Sequence, residues 1–202
     1  MNIFYHYNDI AGDVHFPHSI AIDTEAMGLN NHRDRLCVVQ ISSGDGSAHL
    51  VHFPEGKFTC PNLLKILSND LIQKIFHYAR FDVAILQYSL SIDIKNIYCT
   101  KIASRLVRTY TDLHGLKDLC LDLLGVKISK QQRSSDWGAD KLTREQLEYA
   151  ATDVLHLHKI KAILDEMLVR ERRMEIAKNC FNFIPTRAML DVLGWGDDIL
   201  LH

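Results

Sequence analysis

The sequence predicts an α/β fold with a mixed β-sheet, on two observations. Up to residue 53, short apolar and β-branched segments are joined by brief turns, which is typical of an antiparallel meander. Beyond that point, apolar segments of strand length alternate with segments of helical periodicity, which is typical of parallel strands connected by helices. With 202 residues the chain is long enough to bury one full core, and we expect a single domain over residues 1–202.

The predicted meander occupies the first part of the chain. Residues 2–8 alternate well enough for an edge strand, and Ser19–Glu25 is an apolar strand that ends in acidic residues. Leu36–Ser42 is strongly β-branched, and the Gly-Asp-Gly sequence after it is a hairpin signal that returns the chain through Ala48–Phe53. The polar stretch from Met27 to Arg35 is expected to be a loop.

The remainder of the chain supplies strands and helices in alternation. We expect helices at 62–68 and 80–90, short strands at 72–77 and 97–100, and a mostly helical chain from residue 101 onward. The clearest helix is Thr143–Arg170, because Thr143 and Gln146 form a capping-box pattern ahead of an apolar stripe. Residues 171–183 should extend or follow it. The apolar tail, about residues 184–202, is expected to pack on the core or on a neighbouring subunit.

Composition narrows the classes of function. The net charge of −2 argues against a long cationic groove for nucleic acid, so any nucleic-acid substrate should be held by metal ions and a small pocket. The sequence shows neither an apolar run of transmembrane length nor a basic-then-apolar leader, so we expect a cytoplasmic protein without a membrane partner. The five cysteines are dispersed, which favours packed, reduced thiols over a zinc site or disulfides.

Two carboxylates end the first long predicted strand. Asp23 and Glu25 lie at i and i+2, so both side chains should point to the same face. Like charges at such close range repel, and a site that holds them together usually provides a cation. Their hard oxygen ligands favour Mg²⁺ or Mn²⁺. Taken alone, the pair could equally be a solvated strand end.

Two later segments can complete such a site. The segment His77–Asp82 passes from a predicted strand into a helix, and Tyr149 and Asp153 are four residues apart on one helix face. With Asp23 and Glu25, these segments supply four carboxylates and a phenol, the set that a two-metal phosphodiesterase needs. Each has an ordinary explanation by itself: Asp82, for instance, could be a first-turn acid favoured by the helix dipole.

The three segments together resemble the motifs of the DEDDy branch of 3′–5′ exonucleases, specifically the ribonuclease D-like group. The family pattern D-x-E, H-N-A-x-x-D and Y-x-x-x-D is met except at Tyr78, which replaces the usual Asn. The segment Arg133–Trp137 is also similar, and the resemblance covers roughly residues 18–165. It implies a ribonuclease H-like (DnaQ-like exonuclease) fold, with a five-stranded mixed sheet and helices on both sides.

The resemblance also implies residue roles. Asp23 would bridge two divalent metal ions, Mg²⁺ or Mn²⁺, with Glu25 and Asp153 completing the inner coordination and Asp82 acting partly through water. Tyr149 would orient or help to deprotonate the attacking water. A phenol is a poor base at its usual pKa, so the metals would do most of that work.

Among such proteins, the chain looks like the bacterial nano-RNase C type, which degrades very short RNA down to dinucleotides and forms homo-oligomers. The implied function is hydrolysis of short single-stranded RNA to nucleoside 5′-monophosphates, and the implied assembly is a homo-oligomer, an octameric ring in that group. Alternatives are a ribonuclease D-like trimmer of longer RNA 3′ ends and a non-catalytic nucleotide-binding scaffold. A DNA exonuclease is less favoured, because nothing in the sequence suggests a duplex-binding face.

The expected substrate contacts are less specific. The candidate residues flank the motifs or supply donors for phosphate: Ala26, Met27, Leu29, His77, Arg108 and Gln132. Met27 and Leu29 are placed to contact bases, or else to anchor their loop, and His77 could equally be structural. Further candidates for a 5′ phosphate are Arg105, Tyr110, His114 and Arg133, on this chain or a neighbouring one. For Arg80, Trp137 and Lys141 we expect surface packing rather than substrate contact.

Overall fold

A computed structural model describes residues 1–16, 18–129 and 135–201, and it contains a six-stranded mixed sheet. The strands, in chain order, are β1 (Asn2–Tyr7), β2 (Ser19–Ala26), β3 (Leu36–Ser42), β4 (Ser47–His52), β5 (Gln73–Phe76) and β6 (Ile97–Cys99). Their order across the sheet is β1-β4-β3-β2-β5-β6. β2, β3 and β4 form the predicted antiparallel meander, and β5 and β6 continue the sheet in parallel with β2.

The sheet has six strands where the resemblance implied five. The sixth strand is the edge strand β1, which pairs in parallel with β4. This edge position is the one that the alternating pattern of residues 2–8 predicts. The mixed sheet and its class are therefore confirmed, and the strand number is corrected by one.

Seven α-helices accompany the sheet in the described residues. They are α1 (Pro61–Leu67), α2 (Ala79–Leu90), α3 (Thr100–Val107), α4 (Leu116–Leu124), α5 (Arg144–Leu155), α6 (Leu157–Arg170) and α7 (Met174–Val192). All seven residues of β3 are buried, as expected for a central strand that is covered on both faces.

The single helix predicted over Thr143–Arg170 is wrong: the chain bends at His156 and forms α5 and α6. The capping box at Thr143 and Gln146 is present as predicted. The bend lets α5 pack on β2, β3 and β4 while α6 packs on α3 and α4. Neither Gly nor Pro marks the break, so tertiary packing overrides a continuous helical pattern here.

The apolar C-terminal region divides between core and surface. Ile184 and Ala188 on α7 are buried, whereas Leu193, Trp195 and Leu201 remain exposed in the chain by itself. Packing on a neighbouring subunit therefore stays a prediction. No helix in the described part of the chain has the length and apolarity needed to cross a membrane.

Candidate active site

β2 and α5 together bring three carboxylates to one point. Asp23 and Glu25 project from the same face of β2, and Asp153 projects from α5, which packs on that strand. One carboxylate oxygen from each of the three lies within 4.8 Å of the others. The acidic pair on the strand therefore meets a helix residue that lies 128 positions after Glu25 in the sequence.

Tyr149 lies one helical turn before Asp153 and lines the same cleft. The ring centroid of Tyr149 is 6.0 Å from that of Trp137, with the two planes tilted by 38°. Trp137 is only 2% exposed, which corrects the expectation of surface packing for this residue. Its buried indole forms the support against which the phenol ring is placed.

Asp82 reaches the cleft from the first turn of α2 and is 4% exposed. The hydroxyl of Thr24 donates a hydrogen bond of 2.7 Å to Oδ1 of Asp82. Because Thr24 lies between Asp23 and Glu25 on β2, it points to the opposite side of the strand. Asp82 is thus held by the same strand as the acidic pair, although it lies outside the tight group of three.

The electrostatics of this group favour a cation. Burial raises the pKa of the Asp23 carboxyl well above its usual value, and the negative charges of Asp82, Asp153 and Glu25 raise it further. Burial raises the pKa of Asp82 to about 7, although the hydrogen bond from Thr24 acts in the opposite direction. Carboxylates that resist ionisation beside each other are stabilised in their charged form by a divalent cation. The donor set, made of oxygen atoms alone, fits Mg²⁺ or Mn²⁺.

The acidic group forms the floor of a cleft with a volume of about 1160 Å³. Four of the predicted substrate contacts line it: Ala26, Met27, Leu29 and His77. The hydroxyl of Thr100 donates to the carbonyl of Phe76, so it accepts from Nδ1 of His77 at 2.9 Å. This pair of hydrogen bonds fixes the orientation of the His77 ring at the end of β5.

The loop after β2 holds Met27 and Leu29 at the mouth of the cleft. Leu29 is 80% exposed and Met27 is 53% exposed. The sulfur of Met27 lies so close to Gly138 that a Cβ at this position would approach it to 2.4 Å. Met27 therefore packs against Gly138, whereas the side chain of Leu29 is exposed where it lines the cleft.

Arg108 does not line the cleft. It is 1% exposed, its guanidinium donates to the carbonyl of Leu113 and the hydroxyl of Ser104, and it forms a 2.6 Å ion pair with Asp122. Its donors hold the turn between α3 and α4, so we do not retain it as a substrate contact. Gln132 and Arg133 lie outside the described residues.

The other candidates for a 5′ phosphate also lie away from the cleft lining. Arg105 and Tyr110 are exposed, and His114 is buried, with its Nδ1 2.8 Å from the hydroxyl of Ser104. Lys141 is exposed, as expected.

Six residues that line the cleft were not proposed from the sequence as substrate contacts or metal ligands: His32, Arg80, Lys117, Trp137, Asp191 and Asp197. Arg80 is the second residue expected to pack on the surface; it instead forms ion pairs with Asp191 and Asp197, which line the same cleft. None of these residues has the spacing of a motif, because their partners come from distant parts of the chain. Two signals were available in the sequence: Arg80 lies within the middle motif, and Trp137 ends the segment Arg133–Trp137 that resembles the family.

Comparisons with known proteins agree with this geometry. A family model described as a 3′–5′ exonuclease matches residues 8–169. The solved structure of NrnC from Brucella melitensis is 51% identical, covers 100% of this chain and 99% of its own, and superposes with a TM-score of 0.96. Two further structures of that protein, one with bound Mg²⁺ and one bound to pGG, match with TM-scores of 0.95 and 0.96.

A curated relative, Ribonuclease D of Nitrobacter hamburgensis, is 32% identical over 178 residues, which cover 84% of this chain and 46% of the relative. The chain thus spans less than half of that relative's length. The family model and the NrnC structure, by contrast, cover most or all of this chain. The resemblance inferred from the motifs is confirmed: this protein belongs to the 3′–5′ exonuclease family, among its ribonuclease D-like and NrnC-like members.

Proposed function

We propose that this protein is a two-metal-ion 3′–5′ exoribonuclease that hydrolyses very short RNA, especially dinucleotides, to nucleoside 5′-monophosphates. The observation that carries the proposal is the grouping of Asp23, Glu25 and Asp153 within 4.8 Å at the floor of a cleft that Tyr149 also lines. Such a carboxylate group can hold divalent cations beside a phosphodiester while leaving coordination positions for its oxygens.

The acidic residues divide the work of holding the cations. From the family resemblance, Asp23 would contact both cations, and Glu25 and Asp153 would complete the coordination. Asp82, held by Thr24 just outside the group, would act through a water molecule. Two bound divalent ions would supply the positive charge that stabilises both the attacking and the leaving oxygen.

Tyr149 would orient the attacking water. Its ring is supported by the buried Trp137, so the hydroxyl can point into the cleft without losing side-chain entropy in the reaction. A phenol with the usual pKa near 10 is protonated at neutral pH and does not accept a proton from water, so orientation is its main contribution.

Three features support a short substrate. The exposed side chains of Met27 and Leu29 can pack against bases next to the acidic floor. The net charge of −2 offers no overall attraction for a long polyanion. The similar NrnC was solved with pGG, a short nucleotide ligand. We also propose that the protein is cytoplasmic and assembles as a homo-oligomer, for which the family resemblance implies an octameric ring.

A second candidate is the trimming of longer RNA 3′ ends, which the similarity to Ribonuclease D favours. A non-catalytic scaffold on the same fold is disfavoured, since all four carboxylates and Tyr149 line one cleft.

A length series separates the two enzymatic candidates. The purified protein is incubated with Mg²⁺ or Mn²⁺ and 5′-phosphorylated RNAs of two to about ten nucleotides, and kcat/KM is measured for each length. We expect the dinucleotide to be cleaved with a kcat/KM about tenfold or more above that of the longest RNA, a difference of about 1.4 kcal/mol. A flat profile would favour the trimmer, and no hydrolysis at any length would exclude both. Matched DNA oligonucleotides serve as the control for sugar selectivity.

A further inference from the structure

The residue that supports the Tyr149 ring is carried by a turn. Trp137 lies in a turn between α4 and α5 and not on a helix or a strand, yet it is only 2% exposed and its ring lies beside that of Tyr149. A side chain on a turn keeps a fixed position only where other elements hold the backbone around it. The contacts of the two neighbouring residues, Asp136 and Gly138, therefore decide where the indole lies.

Side chains from two other parts of the chain hold the carbonyls that flank Trp137. Nε2 of Gln146, in the first turn of α5, donates a 3.0 Å hydrogen bond to the carbonyl of Asp136. Nη2 of Arg35, just before β3, donates a 3.1 Å hydrogen bond to the carbonyl of Gly138. The backbone is thus held on both sides of Trp137, by α5 on one side and by Arg35 on the other.

Arg35 is itself anchored at the end of β4. Its Nη1 donates to the carbonyl of Phe53 at 2.6 Å, and its Nη2 donates to the carbonyl of Pro54 at 2.7 Å. One guanidinium therefore binds three backbone carbonyls, which its planar fork of donors permits. Because β4 and β2 belong to the same sheet, Arg35 places the turn of Trp137 relative to the strand that carries Asp23.

Gly138 allows the close approach that this contact requires. A Cβ at residue 138 would lie 3.1 Å from Nη2 of Arg35 and 2.4 Å from the sulfur of Met27. Any side chain at this position would therefore displace the guanidinium, the methionine or the turn. The absence of a Cβ lets the backbone of the turn reach Arg35.

We propose that Arg35 is a positioning residue for the hydrolytic step, an inference that rests on the proposed function. By holding the carbonyl of Gly138, Arg35 keeps the indole of Trp137 beside the ring of Tyr149, whose hydroxyl would orient the attacking water. Arg35 is not among the described residues that line the cleft, so it acts through Trp137 and not on the RNA. Loss of the contact should leave the phenol less well placed and so slow the chemical step without weakening substrate binding.

Steady-state hydrolysis with Mg²⁺ tests this role, on the 5′-phosphorylated RNA that the unmodified protein cleaves most efficiently. We expect Arg35→Gln to lower kcat about tenfold, with KM unchanged within about twofold. Arg35→Lys should lower kcat by less, about threefold, because an ammonium can still donate to a carbonyl. Arg144→Gln is the matched control, since it makes the same charge change at an exposed ion pair with Glu148, and it should leave kcat within about twofold.

A double-mutant cycle shows whether Arg35 acts through the phenol. If it does, Arg35→Gln should change kcat less than about twofold in the Tyr149→Phe protein, since the hydroxyl to be positioned is gone. An equal loss of kcat with and without the hydroxyl would mean that Arg35 only supports the fold, and this result overturns the proposal. A loss carried by KM, or an unchanged kcat in Arg35→Gln, overturns it as well. Arg35→Lys gives the same comparison if Arg35→Gln does not fold.

The fluorescence of Trp137 supplies a readout that is independent of activity. The chain contains two tryptophans, so Trp195→Phe leaves Trp137 as the remaining one. In this background, acrylamide should quench the fluorescence more strongly after Arg35→Gln, because the buried indole becomes accessible, and equally after Arg144→Gln. Unchanged quenching in Arg35→Gln overturns the proposal. If the unmodified protein hydrolyses no RNA, the proposed function fails instead, and the quenching still decides whether Arg35 holds Trp137.

Discussion

Two sets of carboxylates line the same cleft and are held in opposite ways. On the floor, burial and mutual repulsion raise the pKa values of Asp23 and Asp82. Residues 191–197 form the C-terminal wall of the cleft, where hydrogen bonds from Arg80 and Arg187 lower the pKa of Asp197. The carboxylates of the floor raise the pKa of Asp23 by their mutual repulsion, which favours binding of a cation. The carboxylates of the wall are neutralised by ion pairs with Arg80 and Arg187, so the wall contributes to the shape of the cleft.

The difference indicates that the floor carries out the chemistry, whereas the rim of the cleft contributes to substrate selectivity. The floor is built on a buried strand and on helices that pack against the sheet, so its geometry is fixed by the core. The wall is built on a helix end and on polar fastenings at the surface, so its removal should leave the chemistry intact. Changes to the floor should affect every substrate, whereas changes around the rim should affect some lengths more than others.

The largest effect is expected from Asp23→Asn. Loss of this proposed metal ligand should lower kcat/KM more than about 100-fold for two-nucleotide and seven-nucleotide RNA alike, since even partners that support metal ligands contribute about 10- to 100-fold. Steady-state hydrolysis with Mg²⁺ and Mn²⁺ measures this loss. Asp93→Asn, at an exposed ion pair, is the control. Activity within about tenfold of the unmodified protein, or a loss confined to one length, would contradict the role assigned to the floor.

A smaller effect is expected in the stability of the metal-free protein. A carboxyl with a raised pKa in the folded state, such as Asp82 at about 7, keeps a proton that the unfolded chain has lost. Its contribution to stability is therefore complete below the unfolded pKa near 3.8 and disappears as the pH rises through about 7. We therefore expect the free energy of unfolding to fall between about pH 4 and about pH 7.

Urea unfolding in the presence of a chelator measures this pH dependence. Asp82→Asn should flatten the slope and should be the more stable protein at about pH 8 by at least about 1.4 kcal/mol, the equivalent of one pKa unit. Added Mg²⁺ should restore stability to the unmodified protein. A metal-free protein that is equally stable across this range would show that the floor is not strained by charge.

The smallest effect is expected at the rim, from Leu29→Ala. Leu29 is 80% exposed, so its truncation should leave the free energy of unfolding unchanged within about 0.5 kcal/mol. The loss of apolar contact with a base should raise KM for the dinucleotide about fivefold, with little change in kcat. Initial rates over a range of dinucleotide concentrations separate the two constants. If kcat fell equally for RNAs of all lengths, Leu29 would contribute to the chemical step, as the carboxylates of the floor do, and not to binding of a base.

Local patterns were sufficient for most of the fold and for the floor. The alternation of residues 2–8 and the β-branched composition of Leu36–Ser42 predicted strands that the structure contains. The i, i+2 spacing of Asp23 and Glu25 and the i, i+4 spacing of Tyr149 and Asp153 each predict a shared face from the geometry of one element. Local patterns failed at His156, where two packing surfaces, rather than a helix-breaking residue, divide the predicted helix.

The sequence by itself determined the acidic floor, because strand and helix periods place its residues within single elements and the family motifs join those elements. Only the tertiary structure showed that residues 191–197 line the cleft and which partners the basic residues contact. Arg80 meets Asp191 across 111 positions, and His32 meets Val192 across 160. Arg108, which resembled a phosphate ligand in the sequence, is buried against Asp122. Contacts between distant segments leave no local pattern in the sequence, because they depend on how the helices and loops pack. Their partners can therefore be identified only in the folded chain.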